Sequence, residues 1–271
     1  MTATSPDDFL RLTRKISSER GFGCASYKEK CLQRRIAVRM RARGVHSYTD
    51  YARILDADLS EYDRLIDVLT INVTKLFRNW EAYDSLATNV IPDLWHREQS
   101  AIRVWSAGCS SGQEPYSVAI LFHRCAAIRG MLAQVDRVNV LGTDIDRRSL
   151  AAADRGEFEE SDFTDTPDEF RTRYFASAAP FTVAAAIRRL VRFERRDLLT
   201  DGRPRGTFDL ITCRNVLIYF DRETQERLFE SFVDALAPGG YLMLGKVETL
   251  LGRSRGLLET VDGRERIFRK P

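Results

Sequence analysis

The segment Arg103–Ile120, RVWSAGCSSGQEPYSVAI, constrains the fold more than any other part of the chain. It begins with the apolar pair Val104–Trp105, continues through a run of small residues that ends at Gly112, and then takes a helical pattern. This order predicts a buried strand, a tight turn and a helix, with glycines where the backbone must approach a ligand closely. After Gly108 glycine recurs only at Gly112, so the segment lacks the G-x-G-x-x-G spacing of dinucleotide-binding turns.

Glu114 stands on the predicted first turn of the helix, directly after the glycine turn. A carboxylate at this place suits a ligand that carries positive charge better than it suits a pyrophosphate. S-adenosylmethionine (SAM), with its ammonium and sulfonium groups, is such a ligand. The alternative is an ordinary strand–helix connection without a ligand, which a motif this short does not exclude.

From residue 101 onward, predicted strands alternate with predicted helices. The strands are Ile102–Trp105, Val138–Gly142, Leu190–Phe193, Phe208–Thr212 and Tyr241–Leu244, and the helices between them are Glu114–Ile128, Arg148–Arg155 and Arg222–Leu236. This alternation predicts a parallel α/β sheet, in which ligands bind at the carboxyl ends of the strands. Asp144, Asp197 and Asn215 each follow a predicted strand, as the glycine turn follows the first strand.

These strand-end residues suit a nucleoside. An acidic residue after the second strand commonly holds ribose hydroxyls, and Asp144 is well placed for this role. Asp146 is the neighbouring candidate, and a helix cap is the alternative role for a carboxylate here. Asp197 with Leu198 would meet the adenine, because a carboxylate accepts a hydrogen bond from the exocyclic amine.

A further candidate segment, Ile71–Asn79, lies where the helical pattern of the first part of the chain ends. It contains the short polar residues Asn72 and Thr74, and Arg78, whose guanidinium can hold a carboxylate through two parallel hydrogen bonds. The residues alone do not exclude the alternative that Asn72 or Thr74 caps a helix and that Arg78 is simply exposed to solvent.

Residues 1 to about 75 predict an all-helical region, with apolar residues at helical spacing such as Leu32, Ile36 and Met40. Ser47 is expected to cap a helix in this region, with Asp50 three residues further on. Residues 82–96 predict one helix that leads into the second part of the chain.

Basic residues are concentrated between Ser26 and Arg43, although the net charge of the chain is only +3. This stretch holds seven basic residues against one acidic residue; the seven are Lys28, Lys30, Arg34, Arg35, Arg39, Arg41 and Arg43. Such a patch indicates an acidic partner, and nucleic acid, an anionic membrane and an acidic protein helix remain open.

Composition limits the class of protein and the cellular compartment that we expect for this chain. Its 271 residues are 44% hydrophobic and 30% charged, which is typical of a globular protein with a substantial core. No apolar run approaches the roughly 20 residues of a membrane span, and the N-terminus lacks a signal-peptide pattern. The five cysteines are odd in number and form no C-x-x-C pair, so we expect a reducing cytoplasm, no disulfide framework and no metal site.

Four blocks of the sequence match a known family. They are Asn72–Arg78 (NVTKLFR), Val104–Ser117 (VWSAGCSSGQEPYS), Gly142–Asp146 (GTDID) and Cys213–Phe220 (CRNVLIYF). On these blocks the chain resembles the CheR chemotaxis receptor methyltransferases, which are SAM-dependent enzymes that methylate glutamate side chains. The match covers nearly the whole chain, and its first and last blocks are the most specific to this family.

The resemblance implies an α/β fold, namely a Rossmann-like class I SAM methyltransferase domain over 99–271. It also implies a helical docking domain over 1–78, a linker helix over 79–98 and a small β-insert over 176–196. The cofactor implied is SAM, and its contacts are Asn72, Thr74, Arg78, Glu114, Asp144, Asp197, Leu198, Asn215 and Val216. The resemblance further implies that Arg78 and Tyr219 are catalytic residues that flank the transferred methyl group.

The partner implied by the resemblance is a methyl-accepting chemoreceptor, whose signalling is adjusted by methylation. The basic stretch resembles the family's receptor-docking helix, so we expect it to meet the acidic helical bundle of a receptor. The patch has no interleaved aromatic residues and the chain has no Asn/Asp-Pro-Pro-Tyr motif, so we expect no nucleic-acid substrate. We also expect no membrane insertion. Some relatives grip a receptor-tail peptide with a glycine-containing loop, and 176–196 has no glycine, so we expect no such tether.

The sequence departs from the usual pattern of the family in three places. Gln113 stands where glutamate is common, and Asp197 stands where asparagine is often found. The family's Gly-His-Ser-Glu is replaced by Gly245-Lys-Val-Glu248. Because of the last departure, the sequence does not exclude a regulatory module that binds SAM but has no activity. The presence of Arg78 and Tyr219 favours an enzyme, because a module that only binds SAM would not need them.

Overall fold

A computed structural model describes residues 6–70, 73–97 and 99–271. The chain divides into two compact units. The helical unit comprises Met1–Ile71 and Tyr219–Thr224, and the sheet unit comprises Asn72–Ile218 and Gln225–Pro271. This boundary precedes the one expected at residue 78, because Leu76 and Phe77 are buried in the core of the sheet unit.

The helical unit is built from the helices that the apolar spacing predicted. Within the described residues these are α1 (Pro6–Arg20), α2 (Glu29–Ala42), α3 (Tyr48–Ala57) and α4 (Leu59–Leu69). Ser47 caps α3 as predicted, because its side-chain oxygen accepts the backbone N–H of Asp50 at 3.1 Å. Leu32, Ile36 and Met40 of α2 are buried in a core shared with apolar residues of the other three helices.

The single helix predicted over 82–96 is wrong, since the structure has two helices there. They are α5 (Trp80–Asn89) and α6 (Ile91–His96). Pro92 explains the break, because a proline inside a continuous helix lacks the N–H donor and clashes with the preceding turn, whereas the first turn of a new helix accepts it.

The strands of the sheet unit confirm the predicted α/β fold. They are β1 (Ile102–Ala107), β2 (Val138–Asp144), β3 (Glu157–Phe158), β4 (Phe181–Thr182), β5 (Val191–Arg195), β6 (Phe208–Cys213), β7 (Leu236–Leu244), β8 (Glu259–Asp262) and β9 (Ile267–Arg269). The main sheet has the order β5-β2-β1-β6-β7-β9-β8. Its first five strands in this order pair in parallel, and β9 joins β7 and β8 through antiparallel pairing. The connecting helices are α7 (Gln113–Ile128), α8 (Arg147–Arg155), α9 (Asp168–Tyr174), α10 (Ala185–Arg188) and α11 (Arg222–Ala235).

The stretch 176–196 contributes to two sheets. Its first strand, β4, pairs antiparallel with β3 in a small separate sheet. Its last strand, β5, is the edge strand of the main sheet and pairs in parallel with β2. The stretch expected as a β-insert therefore also includes a strand of the main sheet.

The parallel pairing brings the carboxyl ends of β1, β2, β5, β6 and β7 to one edge of the sheet. The sequence-predicted site residues of the sheet unit from Gly108 onward lie at this edge: Asp144 ends β2, Glu114 is on the first turn of α7, and the others are in the loops that follow the strands. Across the ranges that the structure describes, no helix has the length and apolarity to cross a membrane.

Candidate active site

The glycine turn after β1 is fixed to the end of β2. Gly108 and Gly112 have φ angles of +76° and +93°, in the left-handed region that favours glycine. The backbone N–H groups of Gly108 and Cys109 both donate to the carbonyl of Thr143, at 2.8 and 2.9 Å. The turn therefore presents its backbone at the carboxyl edge of the sheet, ahead of the first turn of α7.

Asp144 and Asp146, the two candidates for the ribose role, have separate partners. Asp144 accepts the backbone N–H of Ser110 at 2.7 Å and that of Asp146 at 2.9 Å, on different carboxylate oxygens. Asp146 caps α8 by accepting from Arg148 N and the Ser149 hydroxyl. Asp144 ends β2 and is hydrogen-bonded to Ser110 of the glycine turn, whereas Asp146 caps α8, so Asp144 is the better candidate for the ribose. Burial raises the pKa of Asp144, against the lowering effect of its backbone donors.

Glu114 is buried on the first turn of α7, between β1 and β6. Its Oε1 accepts the hydroxyl of Ser106 at 2.7 Å and the hydroxyl of Thr212 at 2.6 Å. The carboxylate thus links the two central strands behind the glycine turn. A negative charge held there by two neutral donors suits a positively charged ligand group.

The loop after β6 packs against the glycine turn. A Cβ added to Gly108 would lie 2.6 Å from Val216 Cγ2, so the two loops leave no room for a side chain at Gly108. Asn215 has a φ of +60°, which asparagine tolerates better than most residues. Its side-chain Oδ1 is buried and accepts no hydrogen bond from any described residue. A buried acceptor of this kind calls for a donor.

Arg78 is held in place through its backbone. Its neighbours Phe77 and Asn79 have positive φ angles of 50° and 59°, a strained conformation for residues with side chains. The Nη2 of the buried Arg214 donates to the carbonyl of Arg78 at 2.8 Å. Asp165 Oδ2 accepts from Asn79 N at 2.9 Å. The Nη1 of Arg78 donates to Val73 O at 2.9 Å, which leaves its other N–H groups as donors for a carboxylate.

The remaining predicted site residues have fewer hydrogen bonds that fix their side chains. Asp197 is buried, and its Oδ1 accepts from Leu199 N at 2.8 Å, while Leu198 is half-buried. Thr74 is also half-buried, and Asn72 lies outside the described residues. Tyr219 belongs to the helical unit, where its carbonyl accepts from Lys28 N at 2.9 Å and its ring lies beneath the guanidinium of Arg35.

The basic residues of α2 divide into two groups. Arg35, Arg39 and Arg43 have partners inside the helical unit. Arg39 donates to both carboxylate oxygens of the fully buried Glu61, at 2.9 and 2.8 Å. Burial alone would raise the pKa of Glu61, but the hydrogen bonds from Arg39 and Tyr51 outweigh this effect and hold the pKa below its usual range. Arg35 donates to Val68 O, and Arg43 lies 3.4 Å from Asp58.

The second group forms what we call the outward face of α2: Lys30, Arg34, Val38 and Arg41. The three basic residues are exposed, and Val38 is 42% exposed. Positions four and seven apart share one side of a helix, so these residues form a continuous surface. Lys28, which caps α2, is exposed as well.

Sequence reasoning assigned no site role to Arg214, Asp165 or Glu248. Arg214 follows β6 directly, and Glu248 follows β7 by four residues, so the rule that ligands meet strand ends could have found both. Asp165 acts from a loop remote in sequence, and no local pattern signals its contact with Asn79. The carboxylate of Glu248 accepts backbone N–H groups from two loops.

The edge of the sheet fits SAM, a ligand rich in donors. Asp144, Asp197 and Asn215 offer acceptor oxygens, which suit ribose hydroxyls, the adenine amine and an ammonium group. The glycine turn supplies a surface from which a side chain at Gly108 is excluded. The fold and this site define a class I SAM-dependent methyltransferase.

Comparisons with known proteins give the family. Residues 7–70 match the CheR methyltransferase, all-alpha domain, and residues 72–267 match the CheR methyltransferase, SAM binding domain. The chain therefore belongs to the CheR methyltransferase family, and the resemblance drawn from the four sequence blocks is confirmed. SAM is its cofactor.

Relatives align over nearly the full length of the chain. It is 35% identical over 256 residues to the chemotaxis protein methyltransferase of Listeria innocua, covering 94% of this chain and 95% of the relative. The corresponding protein of Listeria monocytogenes is 34% identical with the same coverage. That of Borreliella burgdorferi is 30% identical over 259 residues, covering 91% of this chain and 89% of the relative.

Proposed function

We propose that this protein transfers a methyl group from SAM to glutamate side-chain carboxylates of methyl-accepting chemoreceptors. The observation that carries the proposal is that both parts of the chain match a family whose members are named chemotaxis protein methyltransferases. The substrate is a carboxylate that methylation neutralises, which changes the charge of the receptor and thereby its signalling.

The chemistry calls for positioning more than for acid–base catalysis. A glutamate carboxylate is already ionised at neutral pH, so no general base has to remove a proton from it. SAM, when bound, supplies the activated methyl group. The protein must orient the carboxylate and exclude water from the reacting groups.

Arg78 is the residue that we assign to orienting the substrate carboxylate. The support is its fixed backbone and the N–H donors that its bond to Val73 leaves unused. Both reactants lose charge on the way to neutral products, so very tight pairing of Arg78 with the substrate would stabilise the ground state and slow the transfer. We therefore assign Arg78 an orienting role and Tyr219, through its hydroxyl, a second contact near the methyl group.

The cofactor contacts follow from the strand ends. We assign Asp144 to the ribose, Asp197 and Leu198 to the adenine, and Asn215 with Val216 to the remaining part of SAM. Glu114 provides negative charge behind the glycine turn, and Thr74 and Arg78 complete the set among the described residues.

The outward face of α2 is the surface that we assign to the receptor. A receptor bundle with acidic helices would meet Lys30, Arg34 and Arg41, and Val38 would add apolar contact. Arg35, Arg39 and Arg43 support this face from within the unit. We further propose that the protein works in the cytoplasm and does not use a receptor-tail tether, since 176–196 has no glycine. Measurable affinity for an isolated receptor-tail peptide would contradict the second point.

The first test is labelling of receptors with radioactive SAM. The purified protein is incubated with methyl-labelled SAM and membranes that contain the chemoreceptors of its own organism. We expect label on a receptor band, released as volatile methanol by base, because carboxyl methyl esters are base-labile. Unlabelled receptors, together with SAM binding confirmed by calorimetry, would refute the receptor substrate. Label that base treatment does not release would refute the carboxyl ester.

The second test separates docking from catalysis. The double variant Lys30→Glu/Arg34→Glu should reduce receptor methylation at limiting receptor while SAM affinity stays unchanged. Arg11→Glu/Arg14→Glu is the matched control, because it makes the same change in charge on exposed residues of α1. Equal loss of methylation in both double variants would show that net charge, and not the outward face of α2, governs the encounter.

A further inference from the structure

Glu248 is a buried carboxylate surrounded by backbone donors. Only 3% of the residue is exposed. Its Oε2 accepts from Gly245 N at 2.7 Å and from Asn215 N at 3.0 Å. Its Oε1 accepts from Val216 N at 2.9 Å and from Leu217 N at 2.8 Å. The consecutive N–H groups of residues 215–217, with Asn215 left-handed, form an anion-binding concavity that the carboxylate fills.

The loop held by Glu248 is the one that meets the glycine turn. Val216 limits the space at Gly108, and the buried Oδ1 of Asn215 has no partner among the described residues. The path of this loop is therefore set by one side chain from the end of β7. A shift of Glu248 would move both Asn215 and Val216.

The residues between Gly245 and Glu248 face the other way. Lys246 is exposed and lies 3.2 Å from Glu81, and Val247 is 71% exposed. A Cβ on Gly245, in contrast, would lie 2.8 Å from Glu248 Oε2. The departure from the family pattern thus falls on the two outer positions and leaves the inner pair, Gly245 and Glu248, intact.

We propose that Glu248 is a positioning residue for the cofactor, which fixes Asn215 and Val216 in the geometry that binds SAM. The inference rests on the proposed assignment of these two residues as SAM contacts and adds the group that orders them. Four donors require two oxygens that each accept twice, and only a carboxylate offers this. In Glu248→Gln the amide nitrogen replaces one oxygen and turns a donor toward two backbone N–H groups.

The experiment measures the Kd of SAM by calorimetry and the Tm of the ligand-free protein. For Glu248→Gln we expect SAM to bind at least about ten-fold more weakly, which corresponds to about 1.4 kcal/mol. Val247→Ala, on the outer side of the same turn, should bind SAM within about two-fold of the wild type. A merely structural role would lower the Tm of Glu248→Gln and leave the Kd of its folded fraction unchanged, and this result would overturn the proposal.

A second variant alters the same carboxylate without removing its charge. Glu248→Asp shortens the side chain by one methylene group, so its carboxylate cannot reach all four backbone N–H groups, and we expect it also to weaken SAM binding. If Glu248→Gln does not fold, the Kd of Glu248→Asp decides by the same criterion, and failure of both variants to fold would assign the carboxylate to stability and overturn the proposal. No receptor is present in these measurements, so their outcome is independent of the proposed substrate.

Discussion

Replacing Gly108 with alanine should weaken SAM binding out of proportion to its effect on stability. The added methyl group would lie 2.6 Å from Val216 Cγ2, whereas carbon atoms in contact are separated by about 3.5–4.0 Å. Either Val216 or the glycine turn must therefore move by roughly 1 Å. Since both are assigned to the cofactor site, we expect the Kd of SAM to rise at least about ten-fold.

Gly130 provides a matched control at the other end of α7. Its φ of +68° is close to the +76° of Gly108, but a Cβ there would meet no atom within 4 Å. Alanine in the left-handed region costs about 1–2 kcal/mol at either position. Overpacking adds about 1–3 kcal/mol at Gly108 alone. With roughly 2–4 °C of Tm per kcal/mol, Gly130→Ala should lower the Tm by about 2–8 °C and Gly108→Ala by more.

Calorimetric titration with SAM and thermal unfolding of both variants measure these quantities. The reasoning requires that Gly130→Ala bind SAM as the wild type does. It is refuted if Gly108→Ala also keeps wild-type affinity, or if both variants lose affinity to the same extent, since the loss would then follow from the strained backbone and not from the contact with Val216.

Three further outcomes are expected. Burial raises the pKa of Asp144 and ribose hydroxyls favour its ionised form, so calorimetry should show SAM affinity falling as the pH drops through that raised pKa, with a flatter profile for Asp144→Asn. Arg39→Ala should destabilise the protein by about 1.5–3 kcal/mol in chemical denaturation, because the buried Glu61 loses two charged hydrogen bonds and keeps, among the described residues, only the one from Tyr51, whereas Arg34→Ala should change stability by about 0.5 kcal/mol or less. Arg214→Gln should lower the kcat of methylation about 10–100-fold and weaken SAM binding by a smaller factor, because the carbonyl of Arg78 loses its anchor.

The five parallel strands of the main sheet were predictable to within two residues of their carboxyl ends, whereas β3, β4, β8 and β9 were not among the predicted strands. The buried strands are short apolar runs bounded by turn residues, and each predicted strand coincides with an observed one within a few residues. Parallel pairing then places Asp144 and Asn215 on the same edge as the glycine turn without knowledge of any contact. The prediction that Ser47 caps α3 succeeded for the same reason, since a cap depends on residues three positions apart.

Contacts between distant segments were not predictable in this way. The basic residues of α2 form one group in the sequence, but Glu61 on α4 recruits Arg39 and separates it from the outward face. Glu248 was noticed only as part of an unusual tetrapeptide, because its role depends on the backbone of residues 215–217. A single sequence does not contain the pairing information that either contact requires.

The division of α2 into an anchored side and an outward face has a consequence for how partner choice can change. Arg39 forms an ion pair with a buried carboxylate and so contributes to the stability of the helical unit, whereas Lys30, Arg34 and Arg41 are exposed to solvent. Substitutions on the outward face should therefore be nearly neutral for folding. Under the docking role proposed above, such a helix can acquire a new charge pattern, and with it a different receptor, while the sheet unit remains as it is.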